Sequence, residues 1–443
     1  MKRFFVPLII IFLSFSCKQK QQADEIMVVK ADSLKLEGLP FLKSSKDQLY
    51  DKVLGMLVGS AIGDAMGAPT EMWSRYQIAL EYGFVDSLDN MVRTPSPEGT
   101  WDYNLKAGGT TDDTRWKVLF GEYYLQNPKV FYKERSQTKD NAQEFASFLK
   151  SQYQKEIDQL KKTDSFEPAP FEQRMMRVTW LQEWAVVAKA YSNGDINEYA
   201  DALSKFYAGE MVCAGLLYSP LIGSLYPGAP QQAYETGYEL SIFDIGYARD
   251  ITAITSAMVS EAFNEGATKK SILNIVREVD PKGYFKSRLI GRVAYNLYRD
   301  ALVIVDQAKK SEVKVSSSEI VSDSILNIQR EKAFALLAHK QKDYPFHAGE
   351  IYLINLTALI FTDFNFRDAL AFVVNYGRDN DTVAAVTGAI LGAFYGYSKI
   401  PDDLKEKILS TNKDKLGIDL ELLASKISQQ LLEKGVVKVI ETQ

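Results

Sequence analysis

The chain has 443 residues, 46% hydrophobic and 25% charged, so it can bury one large core or two modest ones. Its formal net charge of −5 argues against a nucleic-acid surface, which needs a basic face. Two histidines, His339 and His347, are too few for a His-rich metal site and supply a Ser-His-Asp triad poorly.

In chain order, Lys2 and Arg3 precede an apolar run, Phe4 to Leu13, that is too short to span a bilayer comfortably. Ser14-Phe15-Ser16-Cys17 follows. The pattern predicts a lipoprotein-type signal over residues 1–17, with cleavage before Cys17 and lipid on its sulfur. That implies export, and periplasmic or outer-membrane attachment by the lipid alone. A plain secretory signal is the alternative. Residues 18–45 read as a flexible tether.

From Lys46 onward the pattern is helical. Leu49, Val53, Leu54, Leu57, Val58 and Ile62 recur at helical spacing, with Gly55, Gly59, Ala61 and Gly63 between them. Small residues at that spacing let a helix pack closely, so this one is expected at the centre. Asp64 interrupts its apolar surface, Gly67-Ala68-Pro69 stops it, and Glu71 stands just beyond. Residues 83–109 read as an irregular loop and 114–126 as a helix. Residues 132–162 are long, charged and amphipathic, within a peripheral helical excursion over about 127–170. Helices are then expected at 171–192, 195–207, 231–241, 248–264, 268–277, 286–310, 321–337, 348–361, 366–376 and 381–396. Cys213, in an apolar stretch, reads as a small buried hydrophobe. Residues 401–443 form a charged helical tail. Strand-like alternation is scarce, so the class is all-α, with one helical domain over 46–400.

Two acidic triplets carry the chemistry. One is Thr111-Asp112-Asp113 within Gly108-Gly109-Thr110-Thr111-Asp112-Asp113-Thr114; the other is Asp379-Asn380-Asp381-Thr382, ahead of an apolar, small-residue helix. Either alone reads as a helix cap worth ~1 kcal/mol. Together at one spot, four carboxylates repel strongly unless hard cations sit among them. Oxygen-only donors favour Mg or Mn over Zn. Arg378 is the rival partner for the second triplet. His347, just ahead of a helix, reads as structural, and Asp250 as a cap.

Gly63-Asp64-x-x-Gly67-x-x-x-Glu71, Thr111-Asp112-Asp113-Thr114 and Asp379-x-Asp381-Thr382 before an Ala/Gly-rich helix together resemble the ADP-ribosylglycohydrolase family, over about residues 48–398. The resemblance implies a single-domain orthogonal helical bundle with two Mg2+ (or Mn2+) ions. It implies metal ligation by Thr111, Asp112 and Asp113 from one side and by Asp379, Asp381 and Thr382 from the other. Asp64 would lie near the metals or the ribose, and Glu71 or Asp379 would take a proton from the attacking water. Gly377 and Arg378 stand where members carry a loop near the distal ribose; Gly108 and Trp101 are further candidate substrate contacts. The middle loop departs from the family: Val212-Cys213-Ala214-Gly215-Leu216 lacks the Asn and Arg that many members carry. The expectation is a glycohydrolase of an ADP-ribosyl-like substrate, small or protein-linked, acting as a monomer without nucleic acid. A binding protein without activity on the same scaffold and a metal-dependent phosphoesterase are the alternatives.

Overall fold

The computed structural model describes residues 41–102, 104–132, 141–310 and 322–440; Cys17 and most of the expected tether lie outside them. Among the described residues the chain is almost wholly helical. Helix α1 (Lys46–Gly67) starts at Ser45, which exchanges hydrogen bonds with Gln48 in a reciprocal cap. Helix α2 (Arg75–Glu81) starts the same way at Ser74 with Gln77. After a long loop come α3 (Asp112–Gln126), the short α4 (Pro128–Phe131), α5 (Asn141–Lys162) and α6 (Pro168–Asn193). Next are α7 (Ile196–Lys205), α8 (Ser219–Leu225), α9 (Pro230–Leu240), α10 (Ala248–Ala262), α11 (Lys269–Glu278) and α12 (Val293–Lys309). Then follow α13 (Ser322–Ala338), α14 (Ala348–Phe361), α15 (Phe366–Tyr376), α16 (Asn380–Tyr395), α17 (Asp402–Thr411) and α18 (Leu420–Glu433). Among the described residues no helix is long and apolar enough to cross a membrane.

The centre is the α1–α16 pair. Both are buried nearly all round, as helices without a polar face must be. Gly55, Gly59, Gly63 and Gly67 form a stripe along α1 that meets Gly392, Gly388, Ala384 and Asp381 of α16. A Cβ on Gly63 would collide with the Ala384 carbonyl, and one on Gly67 with the Asp381 backbone. Backbone contact this close sets the two helices in register and brings the tip of α16 beside the end of α1. Lys52 reinforces the pair by donating to the carbonyls of Ala262 (2.6 Å) and Ala393 (3.1 Å) at the ends of α10 and α16.

Several expected boundaries shift. Residues 41–45, counted with the tether, form strand β1 (Leu42–Ser44) and the cap of α1. Strand β1 pairs in parallel with β2 (Val437–Val439). The charged tail is part of the fold: Leu404, Ile408, Leu420, Ala424, Ile427 and Leu431 are buried, and α18 packs on α1 and α3. The N-terminal half of α5 is core rather than periphery, with Phe145 packed at steep ring angles among Phe120, Tyr123 and Tyr218. The helix expected from 286 begins at Val293. The chain first turns at Gly291 (φ +70°) and sends Arg292 inward. There Arg292 grips Asp250 through two nitrogens (2.7 and 2.9 Å), and Tyr234 donates to the same carboxylate at 2.6 Å. Asp250 is therefore half of a buried ion pair, not a simple cap. Helices α2 and α8 were not anticipated, because seven residues are too few to show a period.

Candidate active site

Asp64 holds the first acidic triplet in place. Its Oδ1 accepts from the backbone N–H and the hydroxyl of Thr111, both at 2.9 Å. Its Oδ2 accepts from the N–H (2.9 Å) and hydroxyl (2.6 Å) of Thr114. One carboxylate, fully buried in α1, thus caps α3 from outside that helix, and Thr111 makes no capping bond of its own. With both oxygens committed, Asp64 positions the α3 tip. Burial and the neighbouring Asp113 push its carboxyl up to about 6, against the Thr114 hydroxyl, the Thr111 N–H and the charge of Lys117.

The second tip is set by a backbone bridge. The Arg378 N–H donates to the Trp73 carbonyl (2.8 Å) and the Met72 N–H to the Arg378 carbonyl (2.7 Å). Gly377 takes φ +82°, ψ −149°, a conformation open essentially to glycine alone. The bridge places Glu71 beside Asp379. Arg378 itself turns away: its guanidinium grips the buried Glu350 (2.8 and 3.0 Å) and the Lys342 carbonyl. The rival reading, Arg378 neutralising the second triplet, is not what the geometry shows, and its head group does not line the site.

The two tips meet. Asp112 from α3 and Asp379, Asp381 and Thr382 from α16 line one cavity of about 90 Å³ together with Glu71. The Thr111 hydroxyl lies 3.3 Å from Asp381 Oδ2, and the Thr382 hydroxyl donates to Asp113 at 2.9 Å. Lys117, itself buried, offsets Asp113 at 3.5 Å, and Arg93 pairs with Glu71. Burial and mutual repulsion push Asp112, Asp113 and Asp381 up, and Asp379 to about 8. Gly108 and Trp101 fall elsewhere. Gly108 packs its backbone against α17, where Asn412 donates to its carbonyl (3.0 Å). Trp101 lies in a separate cleft, with the guanidinium groups of Arg115 and Arg177 each 4.0 Å from its ring centre.

Among the described residues no group of three or more His, Cys, Asp or Glu side chains has the arrangement of a metal site. The donor set nonetheless fits a hard cation. Asp381 Oδ1 is buried with no hydrogen-bond partner, and such an orphan is costly. Asp379 heads α16 without making a capping bond. The carboxyls at both tips are destabilised as anions by one another, which a divalent ion would relieve.

Sequence reasoning missed the rest of the wall. Trp184, Tyr207 and Phe346 line the cavity, as do Glu98 and Met72. Tyr207 (φ 45°), Ala208 (φ 58°) and Met72 (φ 67°) all hold left-handed backbone at this rim. No periodicity announces such turns. The unusual middle loop does reach the site: Val212, Cys213 and Ala214 form part of its wall, with Cys213 Sγ 3.8 Å from Asp379. His347 caps α14, its Nδ1 accepting from the N–H groups of Gly349 and Glu350.

The ADP-ribosylglycohydrolase family model matches residues 45–436. ADP-ribosylarginine hydrolase Tri1 of Serratia proteamaculans is 47% identical over 49 residues, 11% of this chain and 13% of that protein. ADP-ribosyl-[dinitrogen reductase] glycohydrolase of Rhodospirillum rubrum is 32% identical over 103 residues, 23% of this chain and 30% of that protein. These stretches span well under two thirds of either relative. A solved structure titled ADP-ribosylglycohydrolase-related protein complex superposes with a TM-score of 0.50 at 16% identity, covering 87% of this chain and 99% of that one; it shares the fold. With the match running from the cap of α1 to the end of α18, the chain belongs to the ADP-ribosylglycohydrolase family.

Proposed function

We propose that this protein is a metal-dependent hydrolase of glycosyl bonds at ribose C1. ADP-ribosyl compounds are the first substrate class to test, since the named relatives bear them in their names. The observation that supports this most directly is the convergence of Asp112, Asp379, Asp381 and Glu71 on one cavity. Asp112, Asp113, Asp379 and Asp381, with the hydroxyls of Thr111 and Thr382, would hold two Mg2+ or Mn2+ ions. When bound, the ions would engage the ribose 2′ and 3′ hydroxyls and orient the sugar.

The residues do the remainder. Glu71, ion-paired with Arg93 at the cavity edge, is placed to accept a proton from the attacking water. Asp379 is the second candidate for that role. Asp64 holds the α3 tip, and Trp184, Tyr207 and Phe346 supply apolar walls beside the reacting centre.

The test is hydrolysis of ADP-ribosyl-arginine, O-acetyl-ADP-ribose and a generic phosphoester, with and without Mg2+ or Mn2+. Cleavage of the glycosides, lost in Asp112→Ala and on chelation, is expected. Cleavage of the phosphoester alone would replace the reading with a phosphoesterase, and no cleavage of any would favour a binding protein. We also propose that Cys17 is lipidated and anchors an exported protein. Metabolic labelling with a radioactive fatty acid should mark the wild type and leave Cys17→Ser unlabelled.

A further inference from the structure

The carboxylate cavity adjoins a second one. The outer groove, about 410 Å³, runs along Ser96, Pro97 and Glu98 on one side and Thr179, Glu183 and Trp184 of α6 on the other. Glu98, Trp184 and Tyr207 belong to both, and the Tyr207 hydroxyl donates to Glu98 at 2.7 Å, so this pair forms the neck.

The passage is acidic and aromatic along its length. Glu71, Asp112, Asp379 and Asp381 lie inside, Glu98 at the neck and Glu183 outside. Trp184, Tyr207 and Phe346 supply flat apolar faces. Among the described residues, the lining of both cavities contains no Lys, Arg or His. The nearby cations are already engaged. Arg93 is paired with Glu71 and Lys117 with Asp113. Arg115 stands within electrostatic reach of Asp112 but is committed to the Pro97 and Glu98 carbonyls, with its guanidinium over Trp101.

Two divalent ions at the inner carboxylates would leave Glu98 and Glu183 uncompensated, so the neck and groove keep a negative field. An anionic group is rejected there by like charge, while a planar neutral or cationic ring gains from the aromatic faces. We propose that the preferred substrate of this chain is a riboside without phosphate groups. Its ribose lies at the carboxylates, and both its planar aglycone and the C5′ side of its ribose face the acidic passage of Tyr207, Glu98 and Trp184. This rests on the glycohydrolase reading above and narrows it.

The experiment compares matched pairs that differ only in the diphosphate-linked nucleoside: ribosyl-arginine with ADP-ribosyl-arginine, and nicotinamide riboside with NAD. The Mg2+- or Mn2+-loaded protein is assayed on each, and binding of adenosine and ADP-ribose is followed by tryptophan fluorescence with and without metal. The phosphate-free member of at least one pair is expected to be cleaved with a kcat/KM tenfold or more above its partner. Adenosine should change the fluorescence at lower concentration than ADP-ribose, with and without metal. In Glu98→Gln/Glu183→Gln the ratio should shift toward the phosphate-bearing member by several fold. Preference for the phosphate-bearing member in both pairs overturns this proposal and leaves the glycohydrolase reading standing. Cleavage of neither member of either pair overturns both.

Discussion

At the residue scale, two buried aspartates of opposite character sit side by side. Asp64 accepts four hydrogen bonds, whereas Asp381 has a buried oxygen with none. Isosteric amides should therefore act with opposite sign in metal-free protein. Asp64→Asn turns an NH2 group toward donors and should cost about 2–4 kcal/mol, read by urea unfolding. Asp381→Asn removes an uncompensated repulsion and should leave stability unchanged or raised. The same variant should abolish any metal-induced rise in Tm. A loss of stability in both variants would contradict the division of roles. His347 gives a separate signal. Burial and Lys342 hold its imidazole down at about 4, from an ordinary 6.5. Its contribution is thus complete above pH 6.5 and is lost as pH falls toward 4, because the unfolded chain takes up the proton first. Allowing for the ring's partial access to water, this is on the order of 1–2 kcal/mol. His347→Asn, which can still cap α14, should flatten that part of the Tm–pH profile relative to wild type.

At the scale of elements, the site depends on how closely α1 and α16 approach. Gly63→Val adds three carbons, the first of them where the Ala384 carbonyl stands, and should cost several kcal/mol or prevent folding. Gly63→Ala, the milder change, should cost about 1–3 kcal/mol and lower activity more than a change of equal stability cost on α12. Urea midpoints and kcat/KM measured on both variants check this. The glycine stripe, the two helix tips and the bounds of α14 and α15 were legible in the sequence, because each rests on local periodicity or on a dense motif. The commitment of Asp64 was not, since its partners lie on α3. Nor were the turn of Arg378 onto Glu350 or the entry of Tyr207 and Phe346 into the wall. Those follow from long-range packing and from left-handed backbone at Arg378 and Tyr207, for which neither residue type is a signal. Trp101 was a natural candidate for stacking, but its ring is already taken by Arg115 and Arg177.

At the scale of the whole molecule, saturating Mg2+ or Mn2+ should raise Tm, since only the folded chain brings the tips together. At a hundredfold excess over Kd the gain is about 2.7 kcal/mol, and Asp112→Ala should show none of it by calorimetry. The C-terminal segment is the other global determinant. Asn412 receives the Thr110 hydroxyl (2.6 Å) and donates to the Gly108 carbonyl just before the first triplet. Ending the chain after residue 400 should therefore remove activity as well as stability, and proteolysis should find the product far less resistant than the full protein. The parallel ribbon carries the same dependence further, because Leu42 has no strand partner until Val437 arrives. A ribosome delivers Leu42 long before Val437. The ribbon therefore closes only once Val437 has been made, and a chain stopped short of it leaves the strand ahead of α1 without its partner.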